Sequence, residues 1–428
     1  MRTVEEGALR ACPECGGPLP EHGRFTAWCA GCDWNVDPEG GREEPAGRGE
    51  RIRRRLAERH GERLLADLTA DGVPVRLDAF GVLSFTLALA VHAVTVVLLV
   101  CGALLLAGAS GFWSVVGGLL ALGAAWTLRP RLGRLPRDGI VLRRADAPEL
   151  YALVDEVGRA VGTRGVDAIV VDAEFNASVS TLGVRRRMLT LGVPLWEVLT
   201  PRERVALLGH ELGHFVNGDT RHGLVVGSAL RSLTVWHDYF QPYPRPGDIF
   251  EVVTNLLLLP FRYATGALLT LLDLVALRAS QRCEYLADAA AARAGSTGAA
   301  VALMDRFLVA DPVEIALRRE VNARRMNGRG RRGAEAAGAG LWEALAEYAA
   351  DVPESEYERR RRVGALRGHS VDSTHPPTHL RRQCLLRTAR EAGTVVTDGA
   401  GEGRIAAELA EARARVAREL VRDGLDGT

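Results

Sequence analysis

The chain has 428 residues and a formal net charge of only +1, so it is long enough for a sizeable core and two or three modules. That balance excludes a generally basic surface of the kind that neutralises nucleic-acid phosphates, and no nucleic-acid partner is expected. Its seven cysteines, four of them in two Cys-x-x-Cys pairs, argue against a disulfide scaffold and for metal-type usage in a reducing compartment.

All 54 basic residues are arginine, and they gather around 42–63, 129–144, 318–332 and 359–367. Each cluster by itself reads as a solvated face or loop. That is the expectation for 318–332, where Arg324-Arg325 and Arg331-Arg332 sit among Gly and Asn. The first 40 residues are polar and lack an apolar stretch, so no secretory signal is expected. Within them Cys12, Cys15, Cys29 and Cys32 form two thiolate pairs able to converge on one tetrahedral zinc ion, with Phe25, Trp28 and Trp34 as a minimal core. Residues 1–40 therefore read as a zinc ribbon with one structural zinc, a module that can also meet a protein partner. Residues 41–78 follow as an Arg-rich linker or helix, with Leu56, Leu64, Leu65 and Leu68 near helical spacing.

Val82 to Ala107 carries no charge, and a second uncharged run extends from Gly111 to Leu128. A bilayer span needs about 20 apolar residues, so 79–130 reads as a transmembrane helical hairpin and the lipid bilayer as a partner. His92, alone inside it, reads as a buried neutral imidazole. Arg76 and the 42–63 cluster precede the hairpin, and Arg129, Arg131, Arg134 and Arg137 follow it. The positive-inside rule then puts both flanks, and the ribbon, in the cytoplasm. Residues 223–277 are also apolar but are interrupted at Arg231, at Gln241–Pro246 and at Pro260-Phe-Arg262. They read as a hairpin that either lies on the membrane or crosses it.

Thr200-Pro-Arg-Glu203 combines a cap, a proline suited to the first helical position and an acid that completes a capping box, and Asn217-Gly218 supplies a stop. Between them His210 and His214 stand four apart, so both imidazoles project from one face toward a common metal. Glu211 neighbours the first of them, where its carboxylate reaches an attacking water without binding the metal. A catalytic zinc takes three protein ligands and keeps one position open. A third histidine six residues after His214 is absent, because that position is Thr220. The better donor is Glu284 in Ser280-Gln-Arg-Cys-Glu284-Tyr-Leu-Ala-Asp288, a helical segment in which Glu284 and Asp288 share a face. One carboxylate can bind the metal while Asp288 accepts the spare N–H of a ligand histidine. The Ala-rich, charge-paired stretch Arg404–Arg422 reads as a helix that packs on the domain or on another chain.

These residues resemble the membrane-associated gluzincins, which include HtpX-type heat-shock proteases and CAAX prenyl endopeptidases. The resemblance covers roughly residues 140–390. It is carried by His210-Glu-Leu-Gly-His214, Gly218-Asp219, Glu284-Tyr-Leu-Ala-Asp288, Ser373-Thr-His375-Pro-Pro377 with Arg381, and Asn176-Ala177. It implies a mainly α fold with a small β-sheet, with a metalloprotease domain over 140–428. It also implies a zinc endopeptidase acting on misfolded or membrane proteins from the cytoplasmic side of the cell membrane. His375 and Arg381 would stand near the scissile carbonyl, and the strand around Asn176–Thr181 would pair with extended substrate. The N-terminal ribbon lies outside the familiar family core. The few apolar runs, against the many membrane segments of prenyl endopeptidases, argue against CAAX processing. The competing reading is a catalytically silent, membrane-tethered zinc adaptor that binds partners through its ribbon.

Overall fold

The structure is a computed structural model and describes residues 10–19, 22–40, 61–69, 79–108, 111–130, 135–136, 139–183, 185–216, 219–242, 247–327, 338–367 and 376–425. It is mainly helical, with a two-stranded and a four-stranded sheet.

The ribbon is built on β1 (Arg10–Ala11) and β2 (Pro18–Leu19), paired antiparallel, which set Cys12 and Cys15 in the turn between them. Its interior is Cys12, Leu19 and Cys29, with Cys32 and Trp34 alongside. The expectation that Phe25 and Trp28 belong to that interior is corrected. Trp28 is buried with Val36 against Val363, some 330 residues away in sequence, and Phe25 packs on the edge of the main core. A module of about 30 residues has too little interior for three large aromatics, so two of them dock it onto the rest of the chain.

Helix α1 covers residues 61–69, and its Leu64, Leu65 and Leu68 are buried. The uncharged runs form α2 (Ala79–Ala107) and α3 (Phe112–Thr127), a packed hairpin. The two helices approach at Gly102 and Gly118: a Cβ on either would lie 3.1 Å from the other's carbonyl oxygen, the small-residue contact that lets apolar helices close up. Helix α2 has 29 residues and a mean hydropathy of 2.6 in its most apolar stretch, only 11% of which is buried. A soluble protein would bury such a helix in its core, whereas here Val96, Val97 and Leu104 face outward. After α3, the Arg129 guanidinium lies over the Trp126 ring at 4.0 Å, an aromatic and cationic pairing typical of a membrane–water boundary.

The part of the chain after the hairpin starts with β3 (Ile140–Leu142), α4 (Pro148–Val161), β4 (Ala168–Asp172), β5 (Ala177–Leu182) and β6 (Arg186–Gly192). Strand order is β3-β4-β6-β5, with β4 and β6 parallel and the other pairs antiparallel. Strand β5 is thus an edge strand among the described residues. Next come α5 (Val193–Val198) and α6 (Pro201–Val216), the latter opened by the capping box foreseen from sequence. The Thr200 N–H donates to Glu203 Oε2 at 2.7 Å, and the Glu203 N–H points back to Thr200 Oγ1 at 3.4 Å. The stop at Asn217-Gly218 lies outside the described residues.

Helix α7 (Asp219–Tyr239) runs away from α6 and α8 (Ile249–Gly295) returns. The expected break at Pro260 is absent: α8 is continuous for 47 residues and passes through it. Proline removes one N–H from such a helix, and neighbouring helices commonly absorb that loss in apolar surroundings. The first half of α8 is apolar and exposed, like α2, while its second half enters the core. Residues Ala88, Val91, Val226, Ala229, Leu233, Trp236 and Leu272 make a separate apolar cluster where α2, α7 and α8 meet. His92 sits beside it, its Nε2 3.1 Å from both the Val225 carbonyl and Ser228 Oγ.

The remaining helices are α9 (Thr297–Leu308), α10 (Ala310–Asn327), α11 (Leu341–Ala350), α12 (Glu354–Arg367), α13 (Thr378–Arg387) and α14 (Gly399–Asp423). Helix α10 carries the cluster expected as a solvated face or loop as far as residue 327, and there it is a solvated helix face. Val313, Leu317 and Val321 form a buried i, i+4 stripe that anchors it, and its arginines occupy the other faces. Helix α14 lays Ile405, Leu409, Val416 and Leu420 into the main core. From it the Glu408 carboxylate accepts the Glu149 and Leu150 N–H groups at 2.8 and 2.9 Å, capping α4.

Candidate active site and metal centres

The motif helix α6 lies against the second half of α8 with unusually little between them. A Cβ on Gly209 would stand 2.8 Å from Ala294 Cβ, and one on Gly213 would stand 3.0 Å from Ala287 Cα. Ala287, Ala290, Ala291 and Ala294 form the facing stripe, all buried. Small side chains on both helices let the backbones close up, and this carries a carboxylate on α8 to the imidazoles on α6. The signal was legible as Gly209 and Gly213 four apart facing an alanine run, although composition alone makes that run look like an ordinary exposed helix.

His210, His214 and Glu284 offer ligand atoms that all lie within 4.8 Å of one another, in largely buried surroundings. His210 Nε2 is 3.5 Å from Glu284 Oε2, and His214 Nε2 is 3.7 Å from Glu284 Oε1. Ligands about 2.05 Å from a tetrahedral zinc stand about 3.3 Å apart, so this donor set fits that ion with small movements. The two imidazoles meet edge to face at 5.0 Å. Asp288 Oδ1 lies 3.0 Å from His210 Nδ1, on the side of the ring away from Glu284. Glu211 is buried on the same helix, adjacent to His210.

Arg381, expected near a scissile carbonyl, is 4% exposed and committed to acids. Its Nη2 and Nε donate to the Asp288 oxygens at 2.6 and 2.8 Å, and its Nη1 is 3.4 Å from Glu284 Oε2. Nη2 also approaches the His210 ring at 3.3 Å. Burial favours the neutral form of Asp288, but the Arg381 charge and hydrogen bonds outweigh it and hold the carboxyl below its usual range. Burial likewise pushes His210 down, while its bonds to Asp288 and Glu284 prevail and raise it to about 10. The cluster therefore carries an excess of negative charge that calls for a cation at the imidazoles. His375 lies outside the described residues.

Strand β5 packs beside α6, with one edge unpaired among the described residues. At its start the Asn176 carbonyl accepts the Gly192 N–H at 2.9 Å, and the Asn176 side chain accepts the Ala177 N–H at 2.8 Å. Ala177 pairs with Leu191 of β6, leaving the outer edge of β5 for another strand.

Cys12, Cys15, Cys29 and Cys32 form the second candidate metal centre, their sulfurs within 4.8 Å of one another. The Cys12–Cys32 and Cys15–Cys29 separations are 3.6 and 3.5 Å, against about 3.8 Å for the edges of a zinc–thiolate tetrahedron. Backbone N–H groups of Gly31 and Cys32 point at the Cys29 sulfur and lower its pKa to about 7, favouring the thiolate a metal needs.

The profile of peptidase family M48 matches residues 145–389, more than half of the chain. Among curated proteins, the chain is 26% identical over 190 residues to Protease HtpX of Pseudomonas aeruginosa, covering 42% of this chain and 63% of that protein. It is 25% identical over 192 residues to Protease HtpX homolog of Bacteroides fragilis, covering 42% of this chain and 58% of that one. Protease HtpX homolog 1 of Sulfurisphaera tokodaii is 33% identical over 79 residues, which is 18% of this chain and 25% of the relative. In each case the chain spans less than two thirds of the relative's length. No solved structure matches it. With the family profile running through both motif helices and on to the Arg381 helix, the chain belongs to peptidase family M48.

Proposed function

We propose that the chain is a membrane-anchored zinc endopeptidase that hydrolyses peptide bonds of protein substrates on the cytoplasmic side. The observation that carries this reading is the largely buried triangle of two imidazoles and one carboxylate, all within 4.8 Å, on two helices in tight contact. A zinc ion held by His210, His214 and Glu284 would polarise the scissile carbonyl and bring the pKa of a water toward neutrality. Glu211 takes the proton of the attacking water and delivers it to the departing amine. Asp288 holds His210 by Nδ1, so that Nε2 keeps its lone pair for the metal, and Arg381 keeps Asp288 ionised. The open edge of β5 accepts the substrate as an added strand, with Asn176 and Ala177 fixing where that pairing starts. His375 is assigned as a donor to the oxyanion on family resemblance.

The exposed apolar faces of α2 and of the first half of α8 support anchoring in a bilayer, and the arginines around the hairpin support the cytoplasmic orientation. Misfolded or membrane proteins are the proposed substrates. In the Glu211→Gln variant zinc binding is expected to persist while cleavage of casein falls by about 10²–10⁴-fold. Undiminished turnover would reject the assignment. Comparing peptides that accumulate in membranes with wild type or variant then identifies the physiological substrate. A wild-type chain that holds both zincs and cleaves nothing would favour the silent adaptor.

A further inference from the structure

The family match begins at residue 145, and two pieces of the chain before it pack on the helices in and beside the site. The first is the ribbon, which sits along α12. Trp28 is buried between Val36 and Val363, and its Nε1 donates to the Ser355 carbonyl at 3.0 Å. Arg359, 5% exposed, donates from Nη1 to the Val36 carbonyl at 2.9 Å while holding Glu356. Arg362 reaches Asp33 at 2.7 Å, and Arg367 pairs with Asp37 at 2.7 and 2.9 Å. The second piece is α1, whose Leu64, Leu65 and Leu68 cluster with Tyr285, Leu380 and Cys384. Tyr285 follows Glu284 and Leu380 precedes Arg381, so one leucine stripe touches both helices whose charged side chains meet at His210. Asp305 of α9 then joins the two gripped helices, binding Arg361 of α12 at 2.8 Å and Arg382 of α13 at 2.9 Å.

We infer that the ribbon and α1 form an intramolecular brace, in which the ribbon on α12 and the leucine stripe of α1 on α13 keep Arg381 seated on Asp288 beside His210. Trp28, Leu64, Leu65 and Leu68 are positioning residues under this inference, and the ribbon's aromatic face has the chain's own protease domain as its partner. Helix α13 has ten residues and no charged cap at its start, so the face formed by Leu380 and Cys384 sets its register. A shift of that face moves the Arg381 guanidinium off two carboxylates at once. The effect on turnover rests on the endopeptidase reading, whereas the brace itself does not.

The test uses the full chain in detergent with Trp28→Ala, Trp28→Phe and Leu68→Ala. Metal analysis, amide exchange of residues 378–387, peptide-level maleimide labelling of Cys384 and casein turnover are measured on each. Cys384 is a built-in probe, because burial under α1 shields it and raises its thiol to about 11. Trp28→Ala and Leu68→Ala are expected to keep both zincs while exchange in 378–387 and Cys384 labelling rise about tenfold. Their kcat is expected to fall about tenfold or more with little change in KM, because a small misplacement near the chemistry is costly. Trp28→Phe keeps the packing and is expected to restore most of each signal. Variants that retain both zincs with unchanged exchange, labelling and kcat would overturn the brace. Should Trp28→Ala release the ribbon zinc, Leu68→Ala carries the test, since it leaves the thiols untouched. A wild-type chain without peptidase activity would sink the endopeptidase reading, and exchange and labelling would still decide the brace.

Discussion

At His210 the balance of charge is the informative quantity. Two carboxylates and one guanidinium surround an imidazole pair with little solvent, so the ionisation of His210 and Asp288 depends on their neighbours. Removing one partner from such a cluster leaves an uncompensated buried charge, which costs more than the lost contact itself. Asp288→Asn is therefore expected to destabilise the domain by about 3–5 kcal/mol and to weaken zinc at the active site by about 10–100-fold. Denaturant melts and zinc titration check the two effects separately, and a variant with wild-type zinc affinity would remove Asp288 from the metal's support. The two histidines of the candidate metal site were readable from spacing, because residues four apart on a helix point the same way whatever surrounds them. Arg381's burial was not, because exposure is a property of packing and its neighbour Arg382 is chemically identical.

At the scale of elements, the contact between α6 and α8 decides whether a third ligand is available. An alanine at Gly209 gains about 1 kcal/mol of helix propensity. Its Cβ, however, would meet Ala294 Cβ at 2.8 Å and Ala291 Cα at 3.0 Å, with a buried helix face rather than a flexible tip to push aside. Overpacking of this kind costs about 1–3 kcal/mol, so Gly209→Ala is expected to lower the melting temperature. It should also loosen zinc by moving Glu284 away from the histidines. A stabilised variant with unchanged zinc affinity would show that the close approach is not needed. The motif helix α6 followed from its capping box, and α2 and α3 from the length of their uncharged runs. The continuity of α8 through Pro260 did not, because a proline stops an isolated helix while packed neighbours let it continue.

Taken as a whole, the molecule has a compact half that holds the candidate metal site and a set of helices whose apolar surface faces outward. That surface is stable in lipid and not in water, so the chain is expected to stay with membranes through alkaline carbonate washing. An arginine at Val97, near the middle of α2, would add about 2.5–3.5 kcal/mol to insertion and should shift the chain toward degradation or the soluble fraction. Release of the wild-type chain by carbonate would contradict the anchoring.

By itself the sequence determined the mainly helical class, the resemblance to the family it belongs to, the His210, His214 and Glu284 cluster, the four-cysteine cluster and the uncharged hairpin. Those features are local: they depend on spacing along one helix, on paired thiols in one turn, or on the polarity of one run. Tertiary structure alone decided that Arg381 is buried against Asp288, that Trp28 faces α12 rather than the ribbon interior, and that α1 reaches Tyr285 and Leu380. Each of these joins residues far apart in the chain, and which apolar or charged group finds which partner is settled only when the whole core closes.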